Sequence, residues 1–157
     1  MKRGFTLIEI MVATAIMAIT LGVSISGYNN FNEGQRVKQA ALTFKNNARM
    51  AQEKAKSAQR PFDPTCVKLE GYHVIRISAT KYQVRDQCLN SSGGLAPNTP
   101  QEFTLPTNVS FLTANFDIFF RPLTQNAAST VSVVFQSSQS SVVSTVTVNQ
   151  NGEISIN

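Results

Sequence analysis

Residues 1–25, MKRGFTLIEIMVATAIMAITLGVSI, decide how the chain is read. Lys2, Arg3 and Gly4 lead, and the run from Phe5 to Ile25 is apolar or small except for one charge, Glu9. As a helix that run is roughly 32 Å long at about 1.5 Å per residue, close to the hydrocarbon thickness of a bilayer. It is long enough to span a membrane. The basic residues ahead of it hold that end in the cytoplasm and send the rest outward. A plain signal anchor and a cleaved secretory signal, with Ser24 and Ser26 before Gly27, are the two simpler readings. Glu9 counts against both. An ionisable group inside an apolar span costs about 2.5–3.5 kcal/mol on insertion scales and marks a functional site with a partner. In a helix Glu9 shares a face with Phe5, four residues earlier.

Lys2-Arg3-Gly4-Phe5-Thr6-Leu7-Ile8-Glu9 resembles the leader and processing site of type IV pilins and of the pseudopilins of type II secretion. The resemblance covers the first thirty or so residues. It implies that a prepilin peptidase cuts between Gly4 and Phe5 and N-methylates the Phe5 amine. It implies also that Glu9 pairs with the cationic amine of a neighbouring subunit, and a carboxylate in apolar surroundings needs such an opposite charge. The partners implied are the peptidase, the inner membrane, and sister subunits met through the N-terminal helix. The place implied is the inner membrane as a single-pass protein with its head in the periplasm or outside, then the filament.

The 157 residues allow one modest domain beyond the anchor, and the formal charge of +5 falls by two if Lys2 and Arg3 leave. That residual excess is mild evidence for a nucleic-acid partner. Only 15% of the residues are charged. Such a surface suits an exported β-rich head better than a charge-laced cytosolic helical protein. Cys66 and Cys88 are the two cysteines. Export places them in an oxidising space, where pairing closes a loop of about 23 residues and contributes roughly 3 kcal/mol; a pair of free buried thiols is the alternative. No CxxC and no metal-spaced His/Cys group accompanies them, so neither a metal nor another cofactor is expected.

From Asn32 to about Gln59, Val37, Ala41, Phe44, Ala48, Ala51, Ala55 and Ala58 recur at spacings of four and three and form one stripe, with Pro61 as the stop. The alanines predict a close-packed sheet against this stripe. Arg36, Lys38, Lys45, Arg49, Lys54 and Lys56 occupy other faces, either as a solvated helix surface or as nucleic-acid contacts. Gly27-Tyr28-Asn29-Asn30, followed by Gly34, weakens helix continuity, so a bend or local melting is expected there. The expected segments are a leader at 1–4, a transmembrane assembly helix at 5–26, its amphipathic half at 27–60 and a β-rich head at 61–157. The fold class is α+β: a pilin-like long N-terminal helix packed on an antiparallel, sandwich-like head. Many major pilins carry a proline near residue 27, and this chain has none there.

Strands are expected at Gly71–Ser78, Lys81–Asp86, Glu102–Leu105, Val109–Leu112, Asp117–Arg121, Thr130–Gln136, Val142–Val148 and Glu153–Ile156. Cys66 and Cys88 flank the first hairpin, whose open end a disulfide would staple. Residues 89–101, LNSSGGLAPNTPQ, read as an irregular loop. Asn151-Gly152 reads as a two-residue hairpin turn. Phe103, Phe111, Phe116, Phe119, Phe120 and Phe135 are the expected core aromatics. Phe119-Phe120-Arg121-Pro122-Leu123, followed by a Val-rich strand pair and Asn151-Gly152-Glu153-Ile154, is similar to GspH/FimT-type minor pilin heads. Thr124 and Gln125 stand where that pattern has glycine. In that group some members serve DNA uptake.

No GxSxG, HExxH or phosphate-cradling glycine loop is present. Asp63, Glu70, Asp86, Glu102 and Asp117 lack a paired spacing for acid–base work, and His73 stands alone on a strand. The expectation is a structural subunit, not an enzyme.

Overall fold

A computed structural model describes residues 6–96 and 100–157, with backbone alone at 22–27. One helix, α1, runs unbroken from Leu7 to Lys56, through Gly27-Tyr28-Asn29-Asn30, where a bend or melting was expected. Eight strands follow: β1 Lys68–Arg76, β2 Lys81–Leu89, β3 Gln101–Thr104, β4 Val109–Phe111, β5 Asp117–Phe120, β6 Val131–Ser137, β7 Val143–Val148 and β8 Ile154–Ile156. They form two antiparallel sheets, ordered β3-β2-β1-β5 and β4-β6-β7-β8, and α1 packs against both. The class is α+β.

The stripe on α1 builds the core. Val37, Ala41, Phe44, Ala48, Ala51 and Ala55 are fully buried, joined by Ala40 and Gln52. Alanine lets the sheets approach, and Phe44 is the one large side chain that the closeness leaves room for. Its ring meets Tyr82 from one sheet, Phe111 and Phe135 from the other, and Phe116 between them, all at centroid distances of 5.1–6.3 Å. Ring edges against ring faces suit the aromatic quadrupole. The strands supply the rest at period two: Val74 on β1, Ile118 and Phe120 on β5, Val133 and Phe135 on β6, Val146 and Val148 on β7.

Ala58 is not part of the helical stripe. It sits just past the helix with φ 48°, while Gln59 N donates to Lys54 O and Ala58 N to Ala55 O, each at 2.9 Å. These two bonds make the Schellman end in which a left-handed residue closes the last turn. The helix therefore stops before Pro61.

Phe119 also departs from expectation. It lies on the outer face of its sheet, over the backbone of Gly71, where a Cβ would meet its ring at 2.4 Å. Gly71 follows a bulge at Leu69/Gly71, and the extra residue keeps both Leu69 and Tyr72 pointing inward. Phe103 is half-buried and stacks on Tyr82.

Two loops are more ordered than their composition suggests. In residues 89–96, the Asn90 side chain accepts from Ser92 N and Gly94 N, and Leu89 bridges Leu95. The final turn is longer than two residues. Gly152 N donates to Asn149 O, Asn149 N to Glu153 O, and only Gly152 has positive φ, at 89°. This is a type I turn closed by a left-handed glycine.

Candidate assembly helix and its head

Thr6 caps α1 with extended backbone, and its hydroxyl accepts from Glu9 N at 3.4 Å. Glu9 is thus three residues past the cap, where a carboxylate favours the positive end of the helix dipole. Its side chain is exposed, beside an apolar groove of about 330 Å³ lined by Ile10, Ala13, Thr14 and Met17. Gly4 and Phe5, the expected cleavage and methylation positions, lie outside the described residues.

From Leu7 to Leu21 the described side chains of α1 are exposed. Leu7, Ile8, Ile10, Met11, Val12, Ile16, Met17, Ile19 and Leu21 are each more than half exposed, and they surround the helix except for a sector of about 100° that holds Glu9, Ala13 and Thr20. Water is a poor medium for such a surface. Its hydroxyls are satisfied internally: Thr14 donates to Met11 O and Thr20 to Ile16 O or Met17 O. Among the described residues no helix is long and apolar enough to cross a membrane. The apolar stretch with described side chains, Leu7 to Leu21, is shorter than the roughly 20 residues that a spanning helix needs.

Cys66 and Cys88 are joined by a disulfide with Cα atoms 5.3 Å apart. Leu69 pairs with Cys88, so the bond closes the open end of the β1–β2 hairpin. The adjoining loop is braced as well. The Asp63 carboxylate accepts from Thr65 N and the Thr65 hydroxyl, which holds its pKa below the usual range, and Tyr72 donates to Gln59 O at 2.7 Å.

Three other polar groups fasten the head. Gln52 donates to two carbonyls of the C-terminal loops, Asn47 donates to the Tyr82 hydroxyl at 2.7 Å, and the Ser137 hydroxyl donates to Glu33 at 2.9 Å. Burial raises the Tyr82 pKa against that bond from Asn47.

Asp86 is the acid whose position the sequence reading missed. It is 5% exposed, and burial raises its pKa, with Asp63 adding to the rise and Lys54 opposing it. Burial also raises the Tyr72 pKa, with Asp86 contributing. The available signal was parity: Tyr82, Val84, Asp86 and Cys88 alternate, so a strand continuing to Leu89 puts Asp86 inside. His73 is held on both ring nitrogens, by Asp117 at 2.7 Å and Gln87 at 2.6 Å, and lies against Phe119. Both ring nitrogens are thus engaged by Asp117 and Gln87, which leaves neither to activate a nucleophile. Among the described residues no cluster of three potential metal ligands occurs.

The six candidate nucleic-acid cations do not form one patch. At about 100° per residue, Lys38, Lys45, Arg49 and Lys56 fall within about 40° of one another on one flank of α1. Arg36 and Lys54 lie on the other flank, and Arg36 is 3.4 Å from Glu33.

Residues 1–25 match the family model described as the prokaryotic N-terminal methylation motif. The match supports a pilin-type subunit processed by a prepilin peptidase. No curated protein and no solved structure gives a significant match to the chain.

Proposed function

We propose that the chain is a structural subunit, a minor pilin or pseudopilin, of a type IV pilus or a type II secretion pseudopilus. The observation that carries this reading is the helix stretch Leu7–Leu21, exposed and apolar around most of its circumference, with one acid, ahead of a folded head. Such a surface needs lipid or sister helices around it.

In the membrane-resident form residues 5–25 span the inner membrane and the head stands outside it. The peptidase cuts after Gly4 and methylates Phe5. Glu9 then meets the cationic amine of a neighbour, a pairing that offsets the cost of its burial. Ala13, Ala15, Ala18 and Gly22 permit close helix contacts. The head's similarity to GspH/FimT-type subunits rests on Phe119–Leu123 and the closing turn. In that loop the left-handed residue is Leu123, with φ 60°. A filament subunit has no catalytic task, and the polar groups described above serve to fasten the head.

The test is Glu9→Ala in a strain that assembles the filament. Cleavage should persist while incorporation into sheared filaments is lost; normal incorporation defeats the proposal.

A second reading, a subunit that contacts nucleic acid, has the four-cation row Lys38, Lys45, Arg49 and Lys56 in its favour. Its signature is an affinity for DNA that falls steeply with salt. No retention on DNA at low salt rejects it.

A further inference from the structure

β3 ends one sheet and β8 ends the other, each with its outer side open. Leu105 N donates to Thr80 O at 2.8 Å, in the register that pairs Phe103 with Tyr82. Phe103 therefore faces β2, and the N–H and C=O groups of Glu102 and Thr104 face away from it. Thr145 and Asn157 exchange both of their bonds, at 2.8 and 2.9 Å, so Ile154 and Ile156 turn theirs away from β7. A row of such groups is a template for another strand.

The two edges lie on opposite flanks of α1. Phe103 borders a cleft of about 360 Å³ whose helical wall is Gln39, Ala40 and Thr43. On the other flank Gly34 faces Val142 and Gln52 holds Gly152 O, below and above the β7–β8 hairpin. At about 100° per residue, Gly34 and Gln52 point the same way and Thr43 points about 180° from both. The edges also share a direction. β7 runs with α1, from the level of Gly34 to that of Gln52, so its antiparallel partner β8 runs against it. β2 runs with α1 as well, from Tyr82 beside Asn47 to Asp86, which pairs with the Tyr72 that reaches Gln59. Its partner β3 therefore runs against α1, as β8 does. Heights agree too. From Gly152 to Ile156 is about 13 Å of strand, or about nine residues of helix below Gln52, which is the level of Thr43.

We propose that the open edge of β3 takes the open edge of β8 from a second copy of this chain, so that neighbouring heads share one ladder. The inference rests on the pilin-type reading above, in which sister α1 helices lie parallel. Parallel helices bring these two edges together as parallel strands at matching height, and that match selects a sister copy as the occupant. With Ile156 beside Phe103, Ile156 N donates to Glu102 O, Thr104 N to Ile156 O and Glu102 N to Ile154 O. Phe103 and Ile156 are each only half-buried against their own core, on the α1 side of their sheets. Paired, each covers the apolar surface that the other leaves open, and Ile156 lies over the mouth of the cleft. The Glu9 pairing offsets two copies by no more than about 6 Å, the four-residue rise from Phe5, which shifts the ladder by two residues and keeps the same faces together. Each copy offers both edges, so the contact is heterologous and repeats along a filament instead of closing on a pair. A ladder this short does not hold free heads together; α1 first brings the copies side by side.

The test places Ser155→Cys with Glu102→Cys, or with Thr104→Cys, in the full chain, produced with a prepilin peptidase and oxidised with copper phenanthroline in inner membranes. All three side chains point away from α1, and adjacent strands set Cα atoms about 4.8 Å apart, within disulfide reach. One of the two pairs should give a ladder of dimers, trimers and higher species on non-reducing gels. Each single variant should stay monomeric, and two single variants mixed should stop at dimers. Dimers from a single variant overturn the proposal in favour of a symmetric contact, and no ladder from either pair overturns it outright. The backbone is tested by Thr104→Pro, which removes an outward N–H and no bond to β2. It should lower incorporation into sheared filaments at least tenfold with the urea midpoint unchanged, while Thr104→Ala should not; wild-type incorporation of Thr104→Pro also overturns the proposal. The N-terminus separates the two levels: a chain that keeps its leader defeats the pilin-type reading, whereas a chain cut before Phe5 that gives no ladder defeats this inference alone.

Discussion

The Gln52 side-chain amide donates to both Gln125 O and Gly152 O, each at 2.7 Å, from a position 8% exposed on α1. One helical residue thereby ties together the loop after β5 and the last hairpin turn. Leu123 N adds a bond to Ala55 O at 3.1 Å, so the end of the helix and the C-terminal loops form one unit.

Replacing Gln52 with Leu should destabilise the head by about 1–2 kcal/mol, because two part-buried hydrogen bonds to Gln125 O and Gly152 O lose their donor. Gly152→Ala should be similarly harmful, since a Cβ there would stand 2.1 Å from Gln125 O and the residue has φ 89°. Urea unfolding of the oxidised protein reads both. Midpoints equal to wild type would mean that water replaces Gln52 without penalty.

The helix end offers the opposite sign. Ala58 and Leu123 hold left-handed backbone, with φ 48° and 60°, and Leu123 is 76% exposed. Left-handed geometry costs an L-residue roughly 1–2 kcal/mol, which glycine avoids at some cost in unfolded-state entropy. Ala58→Gly and Leu123→Gly should each stabilise by about 0.5–1 kcal/mol in the same urea experiment. Destabilisation by either would contradict the Schellman end or the loop conformation.

Asp86 predicts a pH dependence. Its folded pKa is raised, chiefly by burial. Folding therefore favours its protonated form. The group's favourable contribution is fully present below the unfolded value of about 3.9 and is lost as pH rises through the folded pKa. At pH 7 the chain bears the cost of the buried charge. Asp86→Asn should raise the urea midpoint at pH 7, and the gain over wild type should shrink toward pH 4. A loss of stability at pH 7 that persists unchanged at pH 4 would show that the carboxylate is needed for its hydrogen bonding.

Much of this architecture was legible because its signals are local and periodic. The spacing of Val37, Ala41, Phe44, Ala48, Ala51 and Ala55 fixes the buried face of α1 without reference to the rest of the chain. The strands followed from alternation between turn residues, and the cysteines from their places on either side of one hairpin. What could not be read depends on contacts distant in sequence. Gly27-Tyr28-Asn29-Asn30 disfavours helix by propensity alone, yet the helix continues there and carries Glu33 to Ser137, 104 residues away. The Asn151-Gly152 signal was real but incomplete. The turn widens to Asn149–Glu153, and its Gly152 carbonyl meets Gln52, which no local pattern reveals. Phe119 looked like core because it is aromatic; the absence of a Cβ at Gly71 gives its ring a seat on the outer face. Near the N-terminus Glu9 was legible as an anomaly of charge in an apolar run, and the partner that the proposed function assigns to it lies on another molecule.

The most direct measurement is the N-terminus of the protein purified from cells that contain a prepilin peptidase, by intact mass together with Edman degradation. The account predicts a chain that begins at Phe5, carries one added methyl group and is lighter by the two hydrogens of the Cys66–Cys88 bond. A chain beginning at Met1 or at Gly27 would contradict it.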